Sequence, residues 1–411
     1  MRSEGTRKVI AVIGAGAAGM AAAVEAARAG ASVHLFDRND RIGRKLAATG
    51  NGRCNFTHEP VTAADYTDGA AFAGKLAARV TPYELRAWFE GLGVASVCRS
   101  GYVYPATNQS ATVVEALRLA LEENGVTLHT GCPVTDIRRD GSGSFVLTGD
   151  ALGSGFAADR VVIACGGPAG PALGGTESGY TLAKHLGHTV MAPVPALTYL
   201  TSSAPFCKAW DGVRVNGRVE LSWKEDGQTV AASDAGELQL TKNGISGIPV
   251  FQVSARAARA LESDPAAVSA VLSFWPEGLS EEAFYRRAAQ FPSRSAAELL
   301  TGLLPAKLIP VICRGAASDG QTPPDAAALE RLWQTGKAFT LRLTGTGGYA
   351  HAQVTAGGVP VEEVDPATME SRRCSGLYLA GEVLDVTGLC GGFNLHAAFA
   401  GGILAGRAAG A

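Results

Sequence analysis

The 411-residue sequence lacks the features of several specialised protein classes. Its eight cysteines are scattered and none forms a C-x-x-C pair, which argues against a zinc ribbon, an iron–sulfur cluster or a disulfide scaffold and indicates reduced thiols. Charged residues make up only 18% of the chain and the formal net charge is −2, which argues against a protein that coats nucleic acid by bulk charge. His185 and His188 have no carboxylate or thiolate close to them in the sequence, so we expect no metal site.

Only one segment approaches the length and polarity of a membrane span. Residues 9–24 carry no charge and follow Arg7 and Lys8, as in a signal peptide or a membrane anchor. Their glycines, however, are spaced as in a phosphate-binding turn, and Glu25 and Arg28 follow at once. We therefore expect a cytoplasmic protein that does not contact a membrane.

The same segment contains the most informative motif of the chain. Apolar residues 9–13 predict a buried parallel strand, and Gly14, Gly16 and Gly19 then form G-x-G-x-x-G. In such a motif the first glycine permits a tight turn, the second lets the backbone approach a pyrophosphate, and the third allows the helix to pack closely on the strand. The helix predicted over residues 17–29 would present free N–H groups and a positive dipole end to the phosphates.

A second predicted strand, residues 32–36, leads to Asp37, whose carboxylate can accept hydrogen bonds from both hydroxyls of an adenosine ribose. Because strand, glycines, helix, strand and acid occur in this order and at this spacing, the sequence predicts a bound adenine dinucleotide. An acid at this position disfavours a 2′-phosphate, so FAD or NAD fits better than NADP.

The rest of the sequence changes character several times. Residues 43–55 form a loop rich in glycine, cations and side-chain amides, a composition typical of a binding loop. Residues 160–168 predict a second buried strand that ends in a glycine turn. From about residue 193, short strands with polar turns predict a small β-barrel or sandwich. Residues 254–340 have helical periodicity, and glycine-rich sequence returns after residue 345.

Four motifs occur together along the chain: G-A-G-A-A-G, G-R-K-L-A-A-T-G-N-G-R-C-N, V-T-A-G-G-V, and G-L-Y-L-A-G-E-V-L-D-V-T-G followed by G-G-F-N-L. In this combination the sequence resembles, over essentially its whole length, the bacterial family of BaiN-like NAD(P)/FAD-dependent oxidoreductases. The resemblance implies an α/β fold: a glutathione-reductase-type FAD-binding Rossmann-like domain, interrupted by a β-barrel-like domain that carries a small helical insert. The implied boundaries are 1–192 and 346–411 for the FAD-binding domain, 193–253 and 331–345 for the β-barrel-like domain, and 254–330 for the helical insert.

The resemblance also implies non-covalent FAD and a set of residues that hold it. The glycine turn would bind the pyrophosphate, Asp37 the ribose, the backbone of Val134 the adenine, and the start of a last helix, at Asn394, the flavin carbonyls. The full set comprises Gly14, Ala15, Gly16, Ala17, Ala18, Gly19, Asp37, Arg38, Arg44, Lys45, Thr49, Asn51, Gly52, Arg53, Cys54, Asn55, Val134, Cys165, Gly166, Gly167, Gly381, Glu382, Asp385, Gly392, Phe393, Asn394 and Leu395. The sequence departs from the family pattern at Asp37, where Glu is more usual, at Cys165, where Thr is common, and at Leu389-Cys390 in place of Pro-Thr.

Members of this family are associated with the reduction of a carbon–carbon double bond conjugated to a carbonyl. The resemblance implies that NAD(P)H reduces the FAD and that hydride passes from flavin N5 to the β-carbon of a small enone-type substrate, similar to a bile-acid intermediate. No second convincing G-x-G-x-x-G unit is present, so the nicotinamide nucleotide is expected to bind transiently over the flavin. The proton donor stays open: Cys54, Tyr349 and His351 are weak candidates, and packing is the alternative role for each.

Other functions stay open as well. Flavin-dependent reduction of a uridine in ribosomal RNA to dihydrouridine would need a basic face on the inserted region, where acids such as Glu220, Glu281 and Glu282 are interspersed. The cations available there are Lys208, Arg214, Arg218, Lys224, Arg286, Arg287, Arg294, Lys307 and Arg314. A flavin-binding accessory protein without catalysis, or an amine oxidase, would use the same fold. Four tryptophans of this region are expected in its core, with a stacking surface for a base or a steroid as the alternative: Trp210, Trp223, Trp275 and Trp333. The sequence does not predict an oligomeric state.

Overall fold

The computed structural model of the chain describes residues 7–141, 143–225, 228–264 and 268–411. The chain divides into two compact units, the first made of Met1–Pro193 and Val354–Ala411 and the second of Val194–Gln353. The second unit is therefore an insertion between two segments of the first.

The strands are β1 Val9–Ile13, β2 Ser32–Phe36, β3 Thr57–His58, β4 Tyr66–Asp68, β5 Ser96–Arg99, β6 Tyr102–Pro105, β7 Thr127–His129, β8 Asp136–Arg139, β9 Phe145–Thr148, β10 Phe156–Ala158, β11 Arg160–Ile163, β12 Met191–Ala196, β13 Leu200–Thr201, β14 Val213–Glu225, β15 Gln228–Thr241, β16 Gly244–Ser246, β17 Ser269–Ser273, β18 Phe339–Arg342, β19 Gly345–Thr346, β20 Val354–Gly358, β21 Leu377–Leu379 and β22 Thr387–Gly388. The α-helices are α1 Ala17–Arg28, α2 Arg44–Gly52, α3 Ala70–Arg79, α4 Pro82–Glu90, α5 Ser110–Glu123, α6 Ser178–His185, α7 Ile248–Ser263, α8 Glu281–Gln290, α9 Ala296–Leu300, α10 Ile309–Gly315, α11 Ala326–Lys337, α12 Gly348–His351 and α13 Phe393–Gly410.

The first unit is built on a five-stranded parallel sheet with the order β21-β11-β1-β2-β7. Residues 10–13 of the central strand are buried, as expected of a parallel strand covered on both faces. Because the strands are parallel, the segments that follow β1, β2, β11 and β21 leave the same edge of the sheet. This edge is where an open α/β sheet binds its ligand.

Helices α1 and α13 pack against each other through small residues at four-residue spacing. A Cβ atom on Gly402 or on Gly406 would lie 2.3 Å from the carbonyl oxygen of Ala18 or of Ala22. Only glycine permits this approach of two helix backbones. The packing places the N-terminus of α13 on the same unit, and against the same helix, as the glycine turn.

A smaller antiparallel sheet, with the order β3-β6-β5, follows the polar loop of residues 43–55. Its registers pair Thr57 with Val103 and Cys98 with Val103, and Val103 is fully buried. One face of this sheet therefore packs into the core of the first unit, and alternate residues lie on the opposite face.

The second unit contains a seven-stranded sheet with the order β18-β17-β14-β15-β16-β13-β19. No described hydrogen bond joins the two end strands, so the barrel-like closure stays a prediction. Strand β17 lies within residues 254–330, which the sequence predicts as a small helical insert, so the insert is not helical over residues 269–273. Alternate residues of Ser269–Ser273 are buried and the strand pairs with β14, so tertiary pairing decides the conformation of this short segment. The four tryptophans of this unit lie in its core, as predicted: Trp210, Trp223, Trp275 and Trp333.

Candidate functional site

The three motif glycines of the turn after β1 have three different environments. Gly14 has a φ of +102°, and a Cβ there would lie 2.5 Å from the oxygen of Ala164. A Cβ on Gly19 would lie 1.8 Å from the oxygen of Gly14, so the helix packs directly on the turn. A Cβ on Gly16 would meet no atom within 4 Å. The open space at Gly16 faces the first N–H groups of α1, which have no acceptor within the helix and suit an anion.

Asp37 connects the end of β2 to this turn. Its Oδ2 accepts a hydrogen bond from the backbone N–H of Ala15 at 2.7 Å. Its Oδ1 accepts from the backbone N–H and from the side-chain amide of Asn39, both at 2.8 Å. A carboxylate offers about four acceptor positions, so the protein itself uses three of them. Capacity for a ribose hydroxyl remains.

Asn39 and Arg44 extend this network. The Oδ1 of Asn39 accepts from Arg44 at 3.1 Å, and the other terminal nitrogen of Arg44 donates to the oxygen of Ala172 at 3.0 Å. The segment before Val134 joins the same region, because the amide of Cys132 donates to the oxygen of Asp37 at 2.9 Å. The structure therefore brings Arg44 and the segment before Val134 to the Asp37 end of the site. Arg38 is exposed.

The C-terminal part of α2 and the residues that follow it have an unusual backbone. Helical geometry ends at Thr49, and Gly50 and Asn51 have φ values of +57° and +54°. Asn51, Gly52 and Arg53 are exposed, and a Cβ on Gly52 would meet no atom within 4 Å. The hydroxyl of Thr49 donates to the oxygen of Leu46 at 2.7 Å. The loop thus turns backbone and polar side chains outward, as a ligand-binding loop requires.

The candidate proton donors are placed differently. Cys54 is fully buried, and burial raises the pKa of its thiol to about 12, so it has the properties of a packing residue rather than of a titrating acid. Tyr349 and His351 belong to the second unit, on α12, where the ring of His351 lies 5.3 Å from the ring of Tyr199. The cofactor-binding candidates all belong to the first unit.

The segment that follows β11 also contributes to the candidate site. The thiol of Cys165 donates to the oxygen of Ile13 at 3.4 Å, and burial, with a further contribution from the charge of Asp37, raises its pKa to about 12. Gly166 has a φ of +72° and open space beyond its Cα, whereas a Cβ on Gly167 would lie 2.6 Å from the hydroxyl oxygen of Thr355. The space beside Gly166 is therefore open to a ligand, whereas the space beside Gly167 is filled by the side chain of Thr355.

Two acids follow β21. The carboxylate of Glu382 accepts hydrogen bonds from the ammonium group of Lys45 at 3.0 and 2.8 Å and from the amide of Thr355 at 2.9 Å. The carboxylate of Asp385 accepts from the amide of Gly357 at 2.9 Å. These contacts join the second, third and fourth sequence motifs on one unit. A Cβ on Gly381 would lie 2.8 Å from the Cβ of Ala18, so this segment touches the first turn of α1.

Helix α13 begins with a partly buried terminus. Gly392, at φ +96°, precedes the helix, and the first N–H groups after it have no acceptor within the helix. Asn394 does not point its amide away from the protein: Oδ1 accepts from the N–H of Gly388, and Nδ2 donates to the oxygen of Gly388, both at 2.8 Å. Its side chain therefore holds the preceding loop, and the contact available to a flavin carbonyl is the backbone N–H.

Taken residue by residue, these groups fit FAD. Two helix N-termini offer N–H groups to negative charge, and three glycines leave open space where a side chain would project: Gly16, Gly52 and Gly166. The acids Asp37 and Glu382 are suited to ribose and ribitol hydroxyls. Among the described residues no group of three metal-ligating side chains occurs, and no described helix is long and apolar enough to cross a membrane.

Sequence reasoning missed several residues of this network. The sequence analysis does not include Asn39, although an asparagine two positions after a strand-terminal acid is well placed to donate to that acid. Thr355 lies inside a recognised motif but was not named. His188 was interpreted without a carboxylate partner, whereas its Nδ1 lies 2.7 Å from Glu363, a residue 175 positions away that no local pattern reveals.

Comparison with known proteins identifies the family. The family model described as HI0933-like protein Rossmann domain matches residues 8–408. The chain belongs to this family. It is 41% identical over 410 residues to 3-dehydro-bile acid delta(4,6)-reductase of Clostridium scindens, a match that covers 97% of this chain and 98% of the reductase. The predicted resemblance to the BaiN-like oxidoreductases is confirmed.

More distant relatives match over most of the chain, and solved structures share its fold. The ribosomal RNA dihydrouridine synthases of Haemophilus influenzae and Escherichia coli are 29% and 28% identical, each over 94% of this chain and of the relative. An open flavocytochrome c3 fumarate reductase aligns with a TM-score of 0.52 at 17% identity, covering 99% of this chain and 79% of that one. A 3-ketosteroid delta1-dehydrogenase of Sterolibacterium denitrificans aligns at 0.50 and 13%, covering 98% and 99%. These structures confirm the predicted Rossmann-type α/β fold.

Proposed function

We propose that this protein is an FAD-dependent reductase of a carbon–carbon double bond conjugated to a carbonyl, acting on a small enone similar to a bile-acid intermediate. NAD(P)H serves as the reductant. The observation that carries the proposal is the 41% identity, over nearly the full length of both chains, to a bile acid delta(4,6)-reductase. The geometry of the first unit supports it, because two helix N-termini, open space at three glycines and two carboxylates there suit the parts of FAD.

The chain's own residues account for cofactor binding. The turn at Gly14–Gly19 and the N-terminus of α1 receive the pyrophosphate, and Asp37 receives the ribose. Lys45 lies beside Glu382, so it places one positive charge near the phosphates while it orients the carboxylate for the ribitol. The backbone amides at Asn394 and Leu395 would hold the flavin carbonyls, and the positive end of the α13 dipole there would favour negative charge.

When bound, FAD supplies the hydride chemistry that no side chain can provide. The protein then has to orient the substrate, exclude water and stabilise the oxygen on which negative charge develops. The buried thiol of Cys54, with its pKa raised to about 12 by burial, does not serve as a readily available acid. A solvent proton is sufficient for the α-carbon.

Stopped-flow spectroscopy of the purified holoenzyme tests this function. NAD(P)H added without oxygen should bleach the flavin absorption, and a 3-oxo steroid acid with a conjugated 4,6-diene should restore it while losing its own ultraviolet absorption. The matched control is the saturated 3-oxo steroid acid, which should leave the reduced spectrum unchanged. Equal reoxidation by both compounds, or by neither, would refute the proposal.

A second candidate is reduction of a uridine in ribosomal RNA, favoured by the two dihydrouridine synthases among the relatives. The chemistry is similar, because the uracil C5–C6 bond is also conjugated to a carbonyl. Three of the nine cations available for RNA already have partners within the protein, however. Arg214 pairs with Glu237, Arg286 pairs with Glu282, and Lys307 donates to the oxygen of Asp211, so these charges are engaged within the protein.

Mass mapping of ribosomal RNA distinguishes the two substrates. If the steroid is the substrate, RNA from a strain that lacks this gene should contain as much dihydrouridine as RNA from its parent. Loss of one dihydrouridine, restored by the wild-type gene, would assign the RNA reaction instead.

A further inference from the structure

The outer face of the β3-β6-β5 sheet carries aromatic side chains beside the polar loop. His58 is opposite Tyr102 in the register of β3 and β6, and their rings lie 5.0 Å apart. Tyr104 shares this face with Tyr102, because alternate residues of a strand point the same way and Val103 between them is buried. The face therefore presents aromatic rings beside the polar loop, with those of His58 and Tyr102 packed edge to face at 78°.

Arg53 is held over this surface. Its guanidinium carbon lies 5.4 Å from the centre of the Tyr104 ring, and its Nε donates to the oxygen of Gly50 at 3.1 Å. Within the part of the chain that the structure describes, no acceptor lies within hydrogen-bond distance of its two terminal nitrogens. Arg53 is exposed. The guanidinium is thus oriented by the Tyr104 ring and by the oxygen of Gly50, and the N–H groups of its two terminal nitrogens remain available to a ligand.

The chain segment that follows Arg53 packs on the end of the cradle assigned to the flavin. A Cβ on Gly392 would lie 2.8 Å from the oxygen of Thr57 and 2.9 Å from the Oδ1 of Asn55, so the start of α13 packs on the segment that directly follows Arg53. The ring of Phe393, the first residue of α13, lies 4.9 Å from the ring of His58. Arg53, the aromatic face and the N-terminus of α13 therefore belong to one region of the first unit.

We propose that Arg53 is a catalytic residue that binds the carbonyl oxygen of the substrate and stabilises the enolate, with Tyr104 as its positioning residue. This inference deepens the proposed function and rests on it. Hydride addition to the β-carbon forms a C–H bond and shifts the π pair of the C=C bond toward the carbonyl oxygen, giving an enolate. The two electrons come from NAD(P)H by way of the bound flavin, and a solvent proton then adds to the α-carbon. Because a guanidinium stays charged at all relevant pH values, Arg53 stabilises the enolate oxygen without protonating it.

Binding of a phenol to the oxidised holoenzyme tests this role without turnover, since a phenolate resembles an enolate. We expect 4-chlorophenol to perturb the flavin spectrum and to bind more tightly as pH rises through the pKa of the phenol itself. Arg53→Met should lose this preference and weaken binding at high pH by about 100-fold, the scale found for loss of an oxyanion donor. Arg53→Lys should recover part of the affinity for the phenolate. The matched control is Arg138→Met on strand β8, an exposed arginine of the same unit outside this sheet, and it should match wild type.

Turnover supplies the second readout. With saturating FAD, Arg53→Met should lower kcat by about 10²–10³-fold while KM changes little. Tyr104→Leu should lower kcat by a smaller factor, because Arg53 loses the ring beneath it. Tyr104→Phe keeps that ring and should leave kcat unchanged. A rise in KM alone would mean passive substrate binding and would overturn the proposal. Unchanged phenolate binding with weakened FAD affinity would assign Arg53 to the cofactor loop and would overturn it as well.

The two proposals fail in different ways. If wild-type enzyme reduces enones and Arg53→Met does so equally well, only the role of Arg53 is wrong. If wild-type enzyme reduces no enone, the proposed function is wrong, whatever the phenolate result. Absence of any pH-dependent phenol binding in wild type would overturn the enolate site directly.

Discussion

Gly16 and Gly19 belong to the same motif, but alanine should affect them in opposite ways. At Gly16 the added Cβ meets no protein atom within 4 Å, and the backbone angles of φ −88° and ψ −166° suit any residue. Alanine is a poorer N-cap than glycine, yet it also lowers the entropy of the unfolded chain by about 0.4–1 kcal/mol. The free energy of unfolding of the apoprotein should therefore change by less than about 1 kcal/mol. The methyl group occupies the space assigned to the pyrophosphate, so the Kd for FAD should rise about 100-fold, equal to about 2.7 kcal/mol.

At Gly19 the added Cβ would lie 1.8 Å from the carbonyl oxygen of Gly14. The helix cannot keep its position on the turn, and overpacking of this kind costs about 3 kcal/mol or more. Gly19→Ala should therefore unfold at a clearly lower urea concentration than wild type, with or without FAD.

Urea denaturation of FAD-free protein, together with quenching of flavin fluorescence on binding, measures both quantities. Gly141→Ala is the matched control, since a Cβ at that position also meets no atom within 4 Å and lies outside the site. The reasoning is refuted if Gly16→Ala binds FAD as tightly as wild type, or if Gly16→Ala and Gly19→Ala lose the same stability.

Three further predictions concern the supports of the site. Lys45→Met should raise the Kd for FAD about tenfold, or 1.4 kcal/mol, because Glu382 loses its cation; unchanged affinity in fluorescence titration would contradict this. Gly406→Ala should lower the free energy of unfolding by about 1–3 kcal/mol, because its new methyl group clashes with α1. The control Gly401→Ala should be nearly neutral, since the nearest atom there is the flexible end of a methionine at 3.1 Å. Equal urea midpoints for the two variants would argue against the packing of α13 on α1. Burial lowers the pKa of His396 to about 4, so the unfolded chain binds a proton at this histidine at higher pH than the folded protein does. The free energy of unfolding of wild type should therefore fall by up to about 3 kcal/mol as pH falls from 6.5 to 4. His396→Gln should lack that part of the decline in urea melts at pH 6.5, 5 and 4, and a parallel decline in both proteins would disprove it.

Local pattern was sufficient for the nucleotide-binding half of the fold. The apolar run before Gly14, the glycine spacing and the acid at Asp37 are all encoded within 29 residues, and each corresponds to a strand, a turn or a strand end in the structure. The family resemblance supplied the parts that the pattern could not, because it connects both ends of the chain.

Contacts between residues far apart in the chain could not be predicted from local sequence patterns. The pair between Lys45 and Glu382 joins residues 337 positions apart, and nothing in either local sequence identifies the other. The sequence predicts a loop over residues 43–55, whereas the structure forms helix α2 before the left-handed turn at Gly50 and Asn51. The burial of Cys54 depends on the packing around that turn, which local pattern does not encode. Strand β17 is a similar case, since its pairing with β14 outweighs the helical periodicity of its surroundings.

Titration of FAD-free wild-type protein with FAD, followed by quenching of flavin fluorescence, tests the central claim most directly. The structure predicts saturation at one FAD per chain, with a change of the visible spectrum that marks a flavin removed from water. A protein that folds normally but shows no saturable binding of FAD would contradict the cradle, and with it the proposed reduction chemistry.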